Sequence, residues 1–394
     1  MRLNSCDLAI LGGGLAGGLI AMAMAAERPD LRVVVIERGR KLGGEHVWSF
    51  FASDLPPGGA ALVEPLIAAR WDGYAVHFPG RSRMLSTPYR SVTSDRLDAA
   101  VRAALPPGCV LSGTEAVAAT PERVVLGDGH VIAAKGVIDA RGASGLTHMA
   151  GGWQKFLGQT LRLAAPHGLA RPIVMDARVE QADGYRFVYC LPFSATEIFV
   201  EDTYYADAPA LDLPVLRRRI ADYAARHGWR VEAVTYEETG VLPVIAAGDF
   251  AAFWRAGGGP ARAGIRAALV HPLTSYSFPD ALRFALHLTT LDNLSGEGLE
   301  RASHAWAAEH WRQGRFYRML SRMLFSASRP DARWRLLERF YGLPEPLIER
   351  FYAGRSSLAD RLRILAGKPP VPVGAALASL AGRGRTLADL GGAR

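Results

Sequence analysis

Two adjacent carboxylates, Glu201 and Asp202, interrupt the otherwise apolar stretch IFVEDTYY, 198–205. Such acids can mark the end of a strand that meets water, where a carboxylate is easily hydrated. Held at the wall of an apolar pocket, the same carboxyl keeps its proton near neutrality and becomes an acid strong enough for difficult proton transfers. The preceding run GYRFVYCLPF, 184–193, is aromatic and strand-like, so an apolar wall is at hand. Successive strand side chains point to opposite faces. Glu201 and Asp202 therefore meet different surroundings, and Asp202 is expected to hold backbone or to orient Glu201.

A second constellation is GGGLAGG, 12–18, with G-x-G-x-x-G on Gly12, Gly14 and Gly17. Gly12 permits the tight turn, Gly14 lets a pyrophosphate approach the backbone, and Gly17 lets helix and strand pack closely. The helix N-terminus then faces the phosphates. Glu37 follows Gly17 by twenty residues, at the end of LRVVVIE. An acid there accepts hydrogen bonds from a ribose, which favours FAD or NAD over NADP. The fingerprint carries weight because it lies between a strand and a helix with the acid at the right distance.

The elements that must position these groups are those of an α/β chain. LAIL, 8–11, reads as a buried strand, followed by a helix to about Ala26. A helix is expected over Asp95–Leu105, with Ser94 as its N-cap. An Asp-Gly turn at 128–129 predicts a hairpin between 122–126 and 130–133. GVIDARG, 136–142, reads as a further core strand ending in a small-residue turn, as a two-lobed flavoprotein would supply. Strands are expected over 157–163, 171–178, 184–192 and 196–201, then a helix over 211–228 and a strand over 231–237. The segment 264–279 leads into a helix to Leu291. The rest is mainly helical to Ala381, broken by prolines, and the last dozen residues are expected to fray. A Rossmann-type lobe over 1–150 with an inserted β-rich domain over 151–250 accounts for this order. The chain then returns to the first lobe over 251–295 and ends in a helical region over 296–394.

Composition narrows the function. No apolar run reaches the roughly 18–20 residues of a spanning helix, and the first residues do not read as a signal peptide. Three scattered cysteines, Cys6, Cys109 and Cys190, make neither a disulfide framework nor a metal pattern, and they fit a reducing cytoplasm. No His/Cys/Asp cluster has ligand spacing, and no Ser-His-Asp arrangement can be argued. The net charge is +8, and residues 312–363 hold twelve Arg against five acids. That asymmetry suits an anionic partner surface. The motif context of a nucleic-acid binder is missing. In the helix near 311–325, Phe316, Met319, Leu320, Met323 and Leu324 recur at helical spacing. Such a stripe fits an ordinary packed helix or one lying on an anionic membrane.

The chain resembles the bacterial lycopene β-cyclases. The resemblance runs along nearly the whole length, through LGGGLAGG (11–18), GEHVWSF (44–50), VIDARG (137–142), DGYRFVY (183–189), FVEDTYY (199–205), HPLTSYS (271–277) and RFYGLPEPLIERFYAG (339–354). It departs from the family pattern at Glu45, Val47, Leu273 and Ser275, and at Ala140 where a glycine is usual. The resemblance implies an FAD flavoprotein that is active when reduced, with NAD(P)H as reductant, and lycopene or another linear carotene as substrate. It implies work at a membrane surface, in the cytoplasm against the inner membrane. It assigns Glu201 as the catalytic acid, beside Asp202 and His271. Asp139, His46 and Tyr276 join Gly12, Gly14, Gly17 and Glu37 around the cofactor, and Trp48, Phe199 and Tyr204 line the substrate pocket. Two other classes share much of this pattern. One is a flavin-dependent prenyl or carotenoid reductase or hydroxylase, the other a carotenoid-binding flavoprotein without activity.

Overall fold

The computed structural model describes residues 3–367 and 384–388. The strand Ser5–Leu11 lies inside a seven-stranded sheet, between Val33–Glu37 and Val131–Asp139, and parallel to both. Parallel strands covered on both faces read as unbroken apolar runs, as VVVI does here. The helix Leu15–Glu27 follows the glycine turn and buries Leu15 and the run Leu19–Met24. The Asp-Gly hairpin forms, with Gly129 at φ 82°. The two strands expected after it are one, Val131–Asp139, whose first half alternates and whose second half is buried throughout. The helix Ser94–Ala104 is capped by Thr93, whose hydroxyl accepts the Arg96 amide, and not by Ser94. Ser94 is recruited elsewhere: its hydroxyl accepts the His46 amide and donates to the His46 carbonyl.

The second sheet also has seven strands. Its order is Val231–Gly248, Met149–Leu163, Glu197–Ala206, Tyr185–Pro192, Ile173–Asp176, Tyr74–Phe78 and Arg81–Leu85. Its last two strands come from the first 150 residues, so pairing crosses the boundary expected there. Met149–Leu163 and Val231–Gly248 are much longer than the 157–163 and 231–237 expected. Glycines hid their length, since a glycine in a strand carries no side chain to show the alternation. Side chains at Gly152, Gly158 and Gly240 would strike the rings of Phe325, Phe199 and Phe156. The gaps left by these glycines are filled by aromatic rings.

The two faces of this sheet differ. One, carrying Ile198, Val200 and Tyr204, is covered by the helix Leu213–Arg226. The other, carrying Phe187, Phe199 and Tyr205, packs an aromatic cluster against Tyr317, Phe340 and Phe351 of the C-terminal helices. Fully buried Arg333 ties the layers together, donating to the carbonyls of Tyr205 and Leu324 and pairing with Asp207 at 2.7 Å.

The helix expected near 311–325 is divided among the end of Gly296–Gln313, the helix Arg315–Arg322 and a wider-turned segment Met323–Ala327. Of its stripe Leu324 is buried and Phe316, Met319, Leu320 and Met323 are half-buried, Phe316 and Leu320 against the aromatic cluster, while Arg318 folds 3.7 Å from the Trp311 ring centroid. Arg318 and Arg333 are buried, so the basic excess is smaller at the surface than in the sequence. The tail expected to be helical falls partly outside the described residues. Of the segment expected to fray, residues 384–388 are described: Thr386 bridges Ala150 and Leu387 is buried.

Candidate active site

The glycine turn has the shape of a nucleotide cradle. Gly12 sits at φ 92°, and a Cβ there would lie 3.0 Å from the Ala140 carbonyl oxygen. A Cβ on Gly17 would lie 2.0 Å from the Gly12 oxygen. Above Gly14 there is nothing within 4 Å of such an atom, which leaves room for a phosphate. Glu37 accepts the Gly13 amide at 2.8 Å and the Gly39 amide at 2.7 Å, bracing the loop. A carboxylate has about four lone-pair sites, so capacity remains for a ribose hydroxyl. These residues fit a dinucleotide such as FAD.

Asp139 lies beside Leu11, next to this cradle. Its carboxylate faces Arg141 at 2.8 Å and Arg266 at 3.0 Å, whose charges hold it below the usual carboxylate range against the effect of burial. Asp139 braces the 140–142 turn, accepting the Arg141 amide at 3.1 Å. Tyr276 donates to Asp54 at 2.5 Å, and burial pushes that carboxyl up to about 6. Its neighbour Ser275 adopts φ 54°, a conformation that costs a non-glycine residue roughly 1–2 kcal/mol. The Ser275 hydroxyl donates to the Pro243 carbonyl at 2.7 Å, fastening this loop to the second sheet. Ala140 has no positive φ, so its backbone does not need the usual glycine.

Glu201 lies on the aromatic face of the second sheet. It is paired across Tyr189 on one side and Gly158 on the other. The side chain is not fully shielded from solvent, yet protein surrounds it. Tyr189 and Tyr276 share both properties. Glu201 and Tyr189 are thus partly accessible members of this aromatic face. Thr203 donates to Glu201 at 2.5 Å. Burial first, and the neighbouring Glu238 second, push the Glu201 carboxyl up to about 8. Both effects favour its protonated form. Phe199 lies on the same face, fully buried, with its ring over Gly158. Trp48 is half-buried, its ring centroid 5.7 Å from that of His46.

Three expected site residues are not brought to Glu201. Asp202 lies on the opposite face, fully buried, with its carboxylate on Arg186 at 2.7 Å. It does not orient Glu201. Tyr204 shares that face and donates to Asp202 at 2.5 Å, so it lines no part of the aromatic space. His271 is buried against the rings of Tyr317 and Phe351. Its Nδ1 accepts the amides of Leu273 and Thr274, and burial lowers it to about 4. It is a neutral, loop-capping histidine.

Sequence reasoning missed Glu238. It lies directly across Gly158 from Glu201, on the same face, and its carboxyl is also raised by burial. Its Oε2 accepts the Val47 amide at 2.9 Å and lies 3.4 Å from Nδ1 of His46. His46 therefore faces this carboxylate.

A glycine-cradled strand–helix–strand joined to a sheet with a buried acid defines the fold of the FAD-dependent oxidoreductases. A geranylgeranyl bacteriochlorophyll reductase-like protein from Thermoplasma acidophilum is similar over 93% of this chain and 97% of its own, with TM-score 0.60 at 12% identity. The flavin-dependent brominase Bmp2 is similar over 89% and 94%, with TM-score 0.61 at 13% identity. Within that class the sequence is decisive. A family model described as lycopene cyclase protein matches residues 7–378. The lycopene beta-cyclase of Pseudescherichia vulneris is 47% identical over 94% of this chain and 96% of its own, and that of Pantoea ananas 45% identical over 95% and 97%. The chain belongs to the lycopene cyclase family.

Proposed function

We propose that this protein is a lycopene β-cyclase, closing the ψ ends of lycopene into β-rings by way of γ-carotene to β-carotene. The observation that carries the reading is Glu201, a carboxyl set among aromatic side chains beside Tyr189, where burial favours its protonated form. Its proton is added at C2, leaving a tertiary cation at C1. The C5=C6 bond attacks C1 and moves the cation to C5, and loss of the C6 proton leaves the ring. Substrate and product are isomers. Phe199 and Tyr189 offer aromatic faces, which attract a cation more strongly in the absence of water. Gly12, Gly14, Gly17 and Glu37 would hold FAD. Reduced by NAD(P)H, it would supply preorganised negative charge beside the cation.

Anaerobic incubation with FAD, NADPH and liposomal lycopene tests the reading. Unchanged pigment mass with absorption moved to shorter wavelength is expected. A gain of two hydrogens would mean a reductase, and a gain of oxygen on repeating the assay in air a hydroxylase. Unaltered lycopene on a protein holding reduced flavin would mean a carrier.

The substrate dissolves in membranes, and no helix among the described residues is long and apolar enough to cross one. The helix Leu358–Leu365 supports peripheral contact at the inner membrane. Leu358, Leu362 and Leu365 share one face, and the first two are 73% and 62% exposed. Leu365 also lines an apolar cavity of about 130 Å³ that reaches Phe340, Tyr205 and Leu273. Replacing Leu358 and Leu362 together by Glu is expected to lower binding to anionic liposomes at least about tenfold, since withdrawing two leucines from lipid loses more than 1.4 kcal/mol. Turnover of detergent-dispersed lycopene should be retained. Liposome binding equal to the parent's would remove this helix from the membrane contact.

A further inference from the structure

Glu238 is 3% exposed, and its Oε1 is buried without a hydrogen-bond partner. An unpartnered buried oxygen costs about 1–3 kcal/mol, more when charged, and a native structure that keeps one calls for an explanation. The other oxygen is well held, by the Val47 amide at 2.9 Å, His46 at 3.4 Å and the Tyr236 hydroxyl at 3.5 Å. The carboxyl group is thus anchored by one atom while the other is left unbonded.

Its position explains why. Glu201 and Glu238 are both cross-strand partners of Gly158 and share one sheet face. Two strand spacings separate their Cα atoms, about 10 Å. The Phe199 ring covers Gly158 between them. An apolar floor thus lies between two carboxyls on one sheet face. Of the two, Glu238 has an amide and an imidazole on its anchored oxygen, whereas Glu201 has a single hydroxyl. Donors of that kind favour the ionised form. Glu238 is the member suited to be a base while Glu201 keeps its proton. Beyond Glu238 a cleft of about 370 Å³, lined by Glu45, His46, Leu213, Glu237 and Thr239, opens outward.

We propose that Glu238 is the base that removes the C6 proton, and that His46 connects it to water in this cleft. The proposal rests on the cyclase reading above. The Glu201 O–H bond breaks as its proton joins C2. The C5=C6 electron pair forms the C1–C6 bond. The C6–H pair then becomes the new C5=C6 bond, and the proton passes to Oε1 of Glu238. One proton has moved from Glu201 to Glu238, and exchange with water through His46 resets the pair. No oxidant or reductant is consumed in these steps. The titratable groups facing Glu238 are His46, Tyr236 and Glu201, with Glu45 at the cleft mouth.

The test uses the whole chain loaded with reduced FAD. Glu238→Gln is expected to slow cyclisation at least about 100-fold, the usual scale of a general base, with FAD and lycopene still bound. In Glu238→Ala, added formate is expected to restore turnover in proportion to its concentration by entering through the cleft. A purely structural glutamate would show no such recovery. The inference is overturned if Glu238→Gln cyclises within about threefold of the parent, or if formate restores nothing in a Glu238→Ala protein that binds FAD and lycopene. Should Glu238→Ala fail to fold, the isosteric Gln variant decides alone. Glu201→Gln measured in parallel separates the failures. An inactive Glu201→Gln beside an active Glu238→Gln sinks only the base, whereas two active variants sink the Glu201 acid as well.

Discussion

Glu201→Gln is expected to lower lycopene turnover by about a thousandfold or more while FAD and pigment remain bound. Glutamine keeps the shape of the side chain and can still accept the Thr203 hydroxyl, which donates to Glu201 at 2.5 Å. It has no proton to give to an alkene carbon. General acid catalysis contributes typically 10²–10⁴-fold, and an unactivated alkene belongs at the upper end because water is a poor substitute acid. The pH profile supplies a second reading of the same residue. Burial and the adjacent Glu238 raise the carboxyl to about 8. The reactive form is the protonated one, so turnover should hold at pH 7 and fall as the pH rises through about 8. Single-turnover measurements on pre-reduced protein isolate this step from flavin reduction. A Gln variant that cyclises at the parent rate would transfer the proton donation to the flavin.

Asp202→Ala should fail in a different way. Asp202 and Arg186 form a buried ion pair at 2.7 Å, with the Tyr204 hydroxyl on the remaining oxygen and Arg219 donating to Tyr204 at 2.7 Å. Removing one partner strands a buried guanidinium, and losses of this kind run to about 3–5 kcal/mol. Denaturant unfolding of the flavin-loaded protein should show that loss. Replacing the pair together, Asp202→Leu with Arg186→Met, should recover most of it, because an apolar pair leaves no charge unpaired. The folded fraction of Asp202→Asn should cyclise within about threefold of the parent. A folded, flavin-loaded Asp202→Asn protein without activity would return Asp202 to the chemistry.

The nucleotide cradle was legible in the sequence because its constraints are local. A tight turn, a close approach and an acid at a fixed distance all fall within 12–37. Glu201 was legible through its aromatic surroundings and the family motif. Glu238 was not, because the strand expected over 231–237 stops one residue short of it. Only the pairing of both glutamates with Gly158 brings Glu238 beside Glu201, and such register is long-range information. The error over Tyr204 was avoidable. The parity that separates Asp202 from Glu201 places Tyr204 with Asp202. The partners of Asp139 and His271 were not legible either: a motif position does not show that two arginines flank the Asp139 carboxylate or that two backbone amides donate to Nδ1 of His271.

The aromatic wall opposite Glu201 has a consequence for how the protein is made. Its outer layer comes from Tyr317, Phe340 and Phe351, and its latch, Arg333, grips strand residues synthesised about 130 positions earlier. A ribosome adds roughly 5–20 residues each second, so the nascent chain spends several seconds with that face of the sheet bare. The glycine cradle is complete long before then. The core around the first sheet, however, also draws on Leu299 and Ala307, so both ends of the molecule close only late in synthesis, and until then the bare aromatic face is apolar surface that lipid or another chain can cover.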